Sequence, residues 1–176
     1  RNIPDGISFQ EAASLPVAAL TALNGIRRCR ITAGSRLLIN GATGGVGHFA
    51  VQIAKTKGAV VTASCSERNR ELALQLGADT VIGYGIDDLG NTADAYDAIL
   101  DAWGQMKFKD IFRLLKKDGT YASPLLLITP AFLTNIVWLF SRKHITSMNM
   151  RKRAEDYDEI EKLFAEKNLK PVIENV

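Results

Sequence analysis

The chain has 176 residues, with 22 Lys+Arg against 19 Asp+Glu for a formal net charge of +3, and is 47% hydrophobic and 23% charged. Those proportions exclude a disordered chain, a collagen-like repeat and a disulfide-framework miniprotein, and so small a charge gives no argument for a nucleic-acid partner. The length fits one domain, or one and a fraction, with a self-sufficient core.

Two cysteines, Cys29 and Cys65, make neither a zinc ribbon nor a disulfide framework, so a reducing, cytoplasmic compartment is expected. The opening residues Arg1 to Gly6 carry no apolar signal region and no initiator Met, and read as the start of a fragment of a longer protein. The most apolar run, Pro124 to Phe140, is interrupted by Pro130, Thr134 and Asn135. It falls short of the ~20 residues a membrane span needs. A strand end followed by a buried or interface helix is the better reading, and a homodimer is possible, with Leu125 to Phe140 as the self-association surface if the chain is an interaction domain.

In chain order, Ser8 and Glu11 form a capping box that opens a short helix. Pro16 is expected to interrupt it and to begin a second helix through about Cys29. Arg36 to Asn40 is a buried-strand run, followed at once by glycines and a helix from about Val46 to Lys57 with Val46, Ala50, Ile53 and Ala54 on one face. A strand over Ala59 to Ser64, a helix from Arg68 to Leu76 stopped by Gly77, and a short strand Thr80 to Gly83 come next. Then follow a strand Tyr96 to Ala102, a helix through Phe108, Ile111, Phe112 and Leu115, and a strand Thr120 to Ser123 after an Asp118-Gly119 turn. A helix over about Pro130 to Arg142, a strand His144 to Met150 and a helix from Arg153 to Lys167 complete the chain. The last helix is expected to bury Tyr157, Ile160, Leu163 and Phe164, with Glu155, Asp156 and Asp158 at the end its dipole favours.

Strands without a polar face, alternating with helices, predict an α/β fold: a Rossmann-type, doubly wound parallel sheet of about six strands with helices on both faces. Right-handed crossovers predict the strand order 3-2-1-4-5-6.

Between the first strong strand and its helix lies Gly41-Ala42-Thr43-Gly44-Gly45-Val46-Gly47. Read as G-x-G-x-x-G, the key positions are Ala42, Gly44 and Gly47, with Ala in place of the first Gly. Gly44 would let the backbone approach a pyrophosphate, and Gly47 would let helix and strand pack closely. Free amides of Gly44, Gly45 and Val46 at the helix N-terminus would hold the phosphates. No Gly-Lys-Ser/Thr follows, which excludes a P-loop, and no Tyr has a Lys four residues on, which disfavours a short-chain dehydrogenase.

NAD sites place Asp or Glu about 20 residues past the glycines, on the ribose 2′-hydroxyl. Here Ser64 holds that place, Cys65-Ser66 follow, and Glu67 comes late. Ser64 and Ser66 would donate hydrogen bonds to a 2′-phosphate and Arg68 a charge-assisted fork. NADPH is therefore expected over NADH. No catalytic triad, carboxylate pair or metal-like histidine spacing competes, and His48 reads as a helix-surface residue. Arg142, Lys143, Arg151, Lys152 and Arg153 bracket a strand and read as a solvated rim.

Several blocks in order resemble the zinc-independent quinone oxidoreductase branch of the medium-chain dehydrogenase/reductase superfamily. They are AASLPVAALTAL (12–23), GATGGVGHFAVQIAK (41–55), LGADTVIGY (76–84), YDAILD (96–101), LLKKDGTYAS (114–123) and NLKPVIE (168–174). The resemblance implies NADPH-driven hydride transfer to a small-molecule quinone or α,β-unsaturated carbonyl. It implies that Tyr84 lies beside the adenosine phosphate, that Ser64, Ser66, Arg68 and Asn69 form the 2′-phosphate segment, and that Thr21 lies near the nicotinamide. It matches the loop after Asp101 and residues 123–126 to segments lining the nicotinamide ribose and ring. It also implies no metal, a linker and leading helices over 1–24, a cofactor domain over 25–176, and an N-terminal catalytic domain and C-terminal return segment outside this chain. The apolar SPLLLITPAF (123–132) stands where relatives often carry a glycine-rich loop. Other readings are a non-catalytic NADPH-sensing module, the cofactor domain of a zinc-type alcohol dehydrogenase, a nucleotide-independent interaction domain and, more remotely, a methyltransferase.

Overall fold

The computed structural model describes residues 8–84, 89, 92–124, 139–148 and 153–173. Six strands form one sheet: β1 (Arg36–Asn40), β2 (Val60–Ser64), β3 (Thr80–Ile82), β4 (Tyr96–Asp101), β5 (Leu115–Ser123) and β6 (His144–Ser147). Their order is β3-β2-β1-β4-β5-β6, and all five pairings are parallel, as the alternation predicts.

The helices are α1 (Phe9–Arg28), α2 (Gly47–Thr56), α3 (Arg70–Gln75), α4 (Phe108–Leu114) and α5 (Ala154–Ala165). Side-chain parity along the strands sorts them into two layers. Leu37, Ile39, Val61, Ala63, Ala98 and Leu100 face α1, α2, α3 and α5, while Leu38, Ile99 and Tyr121 face Ile111 and Leu114 of α4. Both faces are thus buried, which is why the strands show no polar alternation.

α1 begins as expected. The Ser8 hydroxyl accepts from the Glu11 amide at 3.2 Å, and the Glu11 carboxylate accepts from the Ser8 amide at 2.8 Å. It does not break at Pro16: one helix of 20 residues runs to Arg28 with Pro16 inside it. Proline removes one ladder bond, but Leu15, Ala19, Leu20, Leu23 and Ile26 are buried against the sheet and α2. That packing holds both halves in line. The expected boundary between residues 24 and 25 consequently falls inside α1, whose apolar face belongs to the same core as the sheet.

The expected Asp118-Gly119 turn is also absorbed, into β5. Asp118 takes a left-handed φ of 62°, and the pairing with β4 shifts register between Tyr96 and Ala98. A bulge replaces a break. The expected helix over Pro130 to Arg142 lies mostly outside the described residues, and only 139–141 are seen as helical. Among the described residues no helix is long and apolar enough to cross a membrane.

Candidate nucleotide-binding site

The strand order reverses between β1 and β4: the chain leaves β1 toward β2 on one side, and β4 returns on the other. A crevice at the carboxyl ends of strands at such a switch point is where doubly wound sheets bind ligands. Asn40, the last residue of β1, is in register with Asp101, the last of β4, and with Ser64, the last of β2. The glycine turn therefore emerges directly opposite the loop after Asp101.

The glycines divide into two kinds. Gly41, Ala42 and Gly47 are buried, whereas Gly44 and Gly45 are exposed. A Cβ added at Gly47 would lie 2.0 Å from the Gly41 carbonyl oxygen and 2.8 Å from the Ala42 Cα, so α2 sits against the turn as only glycine permits. At Gly45 an added Cβ would meet nothing within 4 Å. That open side is the approach a diphosphate needs, with the helix dipole behind it. The amides of Gly45 and Val46 have no acceptor among the described residues. The Gly44 amide, expected to be free, instead donates to the Gly41 carbonyl at 3.1 Å and closes the turn. Ala42 contributes to the core, and its amide donates to the Ser64 carbonyl.

A cavity of about 130 Å3 opens beside the turn, walled by Tyr84, Ala102 and Trp103. The two aromatic rings lean on each other with centroids 5.0 Å apart, and both are about half exposed. Trp103 belongs to the loop after Asp101 that the resemblance places at the cofactor, but its own approach to Gly41 is made only by the fold. Its backbone lies 3.3 Å from where a Gly41 Cβ would be.

Asp101 holds this loop. Fully buried, its carboxylate accepts from Asn40 Nδ2 and the Gly104 amide at 2.7 Å each, from Tyr121 Oη at 2.9 Å and from the Met106 amide at 3.0 Å. Four donors satisfy a charge that would otherwise be costly to bury. Burial and the adjacent Asp101 carboxylate push the Tyr121 phenol well above its ordinary range.

The segment after β2 departs from expectation at one residue. Ser64 is fully buried and donates to the Gly83 carbonyl at 3.2 Å, so its hydroxyl faces β3 and not the ligand surface. Ser66 is half-buried and Arg68 exposed, the latter with no carboxylate partner among the described residues. Asn69 Nδ2 donates to Thr43 Oγ1 at 3.1 Å and ties this segment to the glycine turn. Glu67 is held in a fork by Arg70, at 2.7 and 3.0 Å. Thr21 is buried in α1 and donates to the Val17 carbonyl at 2.7 Å; it does not line the glycine cavity.

His48 is not on the surface: it is 5% exposed. Its Nδ1 lies 2.9 Å from the Gly44 carbonyl, while Nε2 accepts from the Val172 amide at 3.4 Å. This pattern suits the neutral ring with the proton on Nδ1. Burial holds its pKa below the ordinary value, partly offset by the carbonyls of Gly44 and Gly45. The unfolded chain therefore binds this proton more readily, so the contribution is complete above about pH 6.5 and is lost as pH falls through the folded value. Denaturant midpoints measured from pH 8 to pH 5 should fall, and His48→Gln should flatten that decline.

Residues 45–166 match the profile of the zinc-binding dehydrogenase family. The chain belongs to the medium-chain dehydrogenase/reductase superfamily. It is 32% identical to a chloroplast envelope quinone oxidoreductase homolog of Arabidopsis thaliana, over 98% of this chain and 56% of that protein. It is 40% identical to a mitochondrial NAD(P)H oxidoreductase of Mus musculus over 76% of this chain and 35% of that one. Among solved structures it resembles the quinone oxidoreductase of Coxiella burnetii with a TM-score of 0.78 and 31% identity, over 95% of this chain and 52% of that one. The chain thus spans about half the length, or less, of these relatives, and the part it spans is the superfamily's cofactor domain. Among the described residues no three His, Cys, Asp or Glu side chains converge as metal ligands would.

Proposed function

We propose that the chain is the NADPH-binding part of an oxidoreductase acting on a small quinone or α,β-unsaturated carbonyl. The relatives' names support the reaction class. The observation that carries the cofactor choice is the pairing pattern after β2: Glu67 is neutralised by Arg70, while Arg68 is left without a carboxylate beside the Asn69–Thr43 bridge. A carboxylate on the ribose would repel a 2′-phosphate, and an unpaired guanidinium attracts one.

In this reading the amides of Gly45 and Val46 hold the diphosphate at the start of α2. Ser66, Arg68 and Asn69 receive the 2′-phosphate, and Tyr84 and Trp103 wall the groove. Bound NADPH supplies the hydride; the protein supplies position and electrostatics. Thr21, its proton already given to Val17, acts there by packing or as an acceptor. A reducing compartment such as the cytoplasm suits the buried free thiols Cys29 and Cys65, and burial pushes the Cys29 pKa up to about 12.

Titration calorimetry with NADPH and NADH side by side tests the assignment. Arg68→Ala should weaken NADPH about tenfold or more, the value of one charge-assisted contact, and leave NADH nearly unchanged. Equal losses for both would remove the role given to Arg68.

A further inference from the structure

A cavity of about 480 Å3 lies away from the glycine turn, between the end of α1, the start of β6 and the N-terminus of α5. We propose that it is a second ligand site, for a small phosphate-bearing molecule that also presents a hydroxyl donor, inorganic phosphate being the smallest member of the class.

Four arginines line the cavity: Arg27, Arg28, Arg30 and Arg153. Arg27 is committed to Asp156 Oδ1 and Glu159 Oε2. The other three have no carboxylate partner among the described residues, and Arg28 only donates to Thr146 Oγ1 at 3.2 Å. The apparent rim of cations is therefore divided by the fold. Arg142 pairs with Asp118 and Lys143 with Asp94, whereas Arg153 turns to this cavity; Arg151 and Lys152 lie outside the described residues.

Arg153 is also the N-cap of α5, a helix of 12 residues whose cap makes no side-chain hydrogen bond. The positive end of its dipole adds to the arginine field. Positive charge alone would attract any anion, sulfate included. A second feature narrows the class. Asp156 lines the cavity and is 1% exposed, and its Oδ2 has no hydrogen-bond partner. A buried, unsatisfied carboxylate oxygen is costly, and what it lacks is a donor. Arginines that require anionic oxygens beside a carboxylate that requires an O–H match a phosphate carrying P–OH, or a phosphate ester carrying a hydroxyl. Sulfate has no such proton at neutral pH. The volume leaves space for an organic portion beyond the phosphate.

Calorimetry in a phosphate-free buffer at pH 7 tests this with inorganic phosphate, glucose 6-phosphate and sulfate. The Arg68→Ala protein is used, so that Arg68, also without a carboxylate partner among the described residues, cannot supply the signal. Phosphate and the ester should bind at least tenfold more tightly than sulfate. Arg30→Gln/Arg153→Gln, both exposed positions, should lower phosphate affinity at least tenfold with an unchanged unfolding midpoint. Asp156→Asn should erase the preference over sulfate, and if that variant fails to fold the other two measurements still decide. No binding of phosphate or of the ester at millimolar concentration, affinity no better than for sulfate, or indifference to the double substitution would each overturn the proposal.

Discussion

Gly47→Ala is expected to destabilise the protein severely, although it adds one methyl group. The new Cβ would fall 2.0 Å from the Gly41 carbonyl oxygen and 2.8 Å from the Ala42 Cα. Both obstacles are backbone at the end of a central strand, so neither can rotate aside. Relief requires α2 to move off the sheet by about an ångström, which opens the packing of Phe49, Ala50, Ile53 and Ala54, all fully buried. Close-packed interiors resist such displacement, and a cost of about 4–5 kcal/mol is a large fraction of the roughly 5–15 kcal/mol that a domain of this kind has. Circular dichroism and a denaturant titration check it. Gly45→Val is the informative contrast. A Cβ added there meets nothing within 4 Å, so the unfolding midpoint should stay put while dinucleotide affinity drops about 100-fold, because the methyls occupy the approach to the amides. A folded Gly45→Val protein that still binds at full affinity would dismiss the glycine turn as the site.

Asp101→Asn should have the next largest effect, and on two observables together. The buried carboxylate accepts from four donors, and an amide can accept on one atom only. Its nitrogen must then face either the Asn40 and Gly104 donors or the Met106 amide, donor against donor, while the Tyr121 hydroxyl can turn and accept. Leaving such groups unsatisfied costs about 3 kcal/mol, which lowers Tm by roughly 6–12 °C in a domain of this size. The same substitution loosens the loop that presents Trp103 to the glycine cavity, so cofactor affinity should fall as well. Tyr121→Phe disturbs the same contact by removing one of the four donors, so the double variant should lose less than the sum of the single losses. Simple additivity would show that the Asp101–Tyr121 contact is not coupled.

Order along the chain carried the architecture. Short apolar runs such as Arg36 to Asn40 and Ala59 to Ser64 alternate with helical patterns, and the chirality of crossovers leaves few topologies open. The glycine turn was equally visible, because close approach of backbone to backbone demands the absence of Cβ wherever in the sheet it occurs. Such features are local, or follow from a rule with one outcome, and so they can be read in one dimension.

What the tertiary structure decided is where side chains point and which distant groups they meet. Strands buried on both faces have no polar alternation, so nothing in VVTAS says whether Ser64 turns toward a ligand or toward Gly83. His48 lies on a helix whose apolar stripe marks one face, but α1 and the segment at Val172 cover the others. Pro16 breaks helices on average, and here the buried face of α1 outweighs one lost hydrogen bond. Trp103, Asp101 and the Arg153–Asp156 cavity each depend on residues tens of positions apart, and propensity and spacing hold no information about contacts made only when the sheet closes.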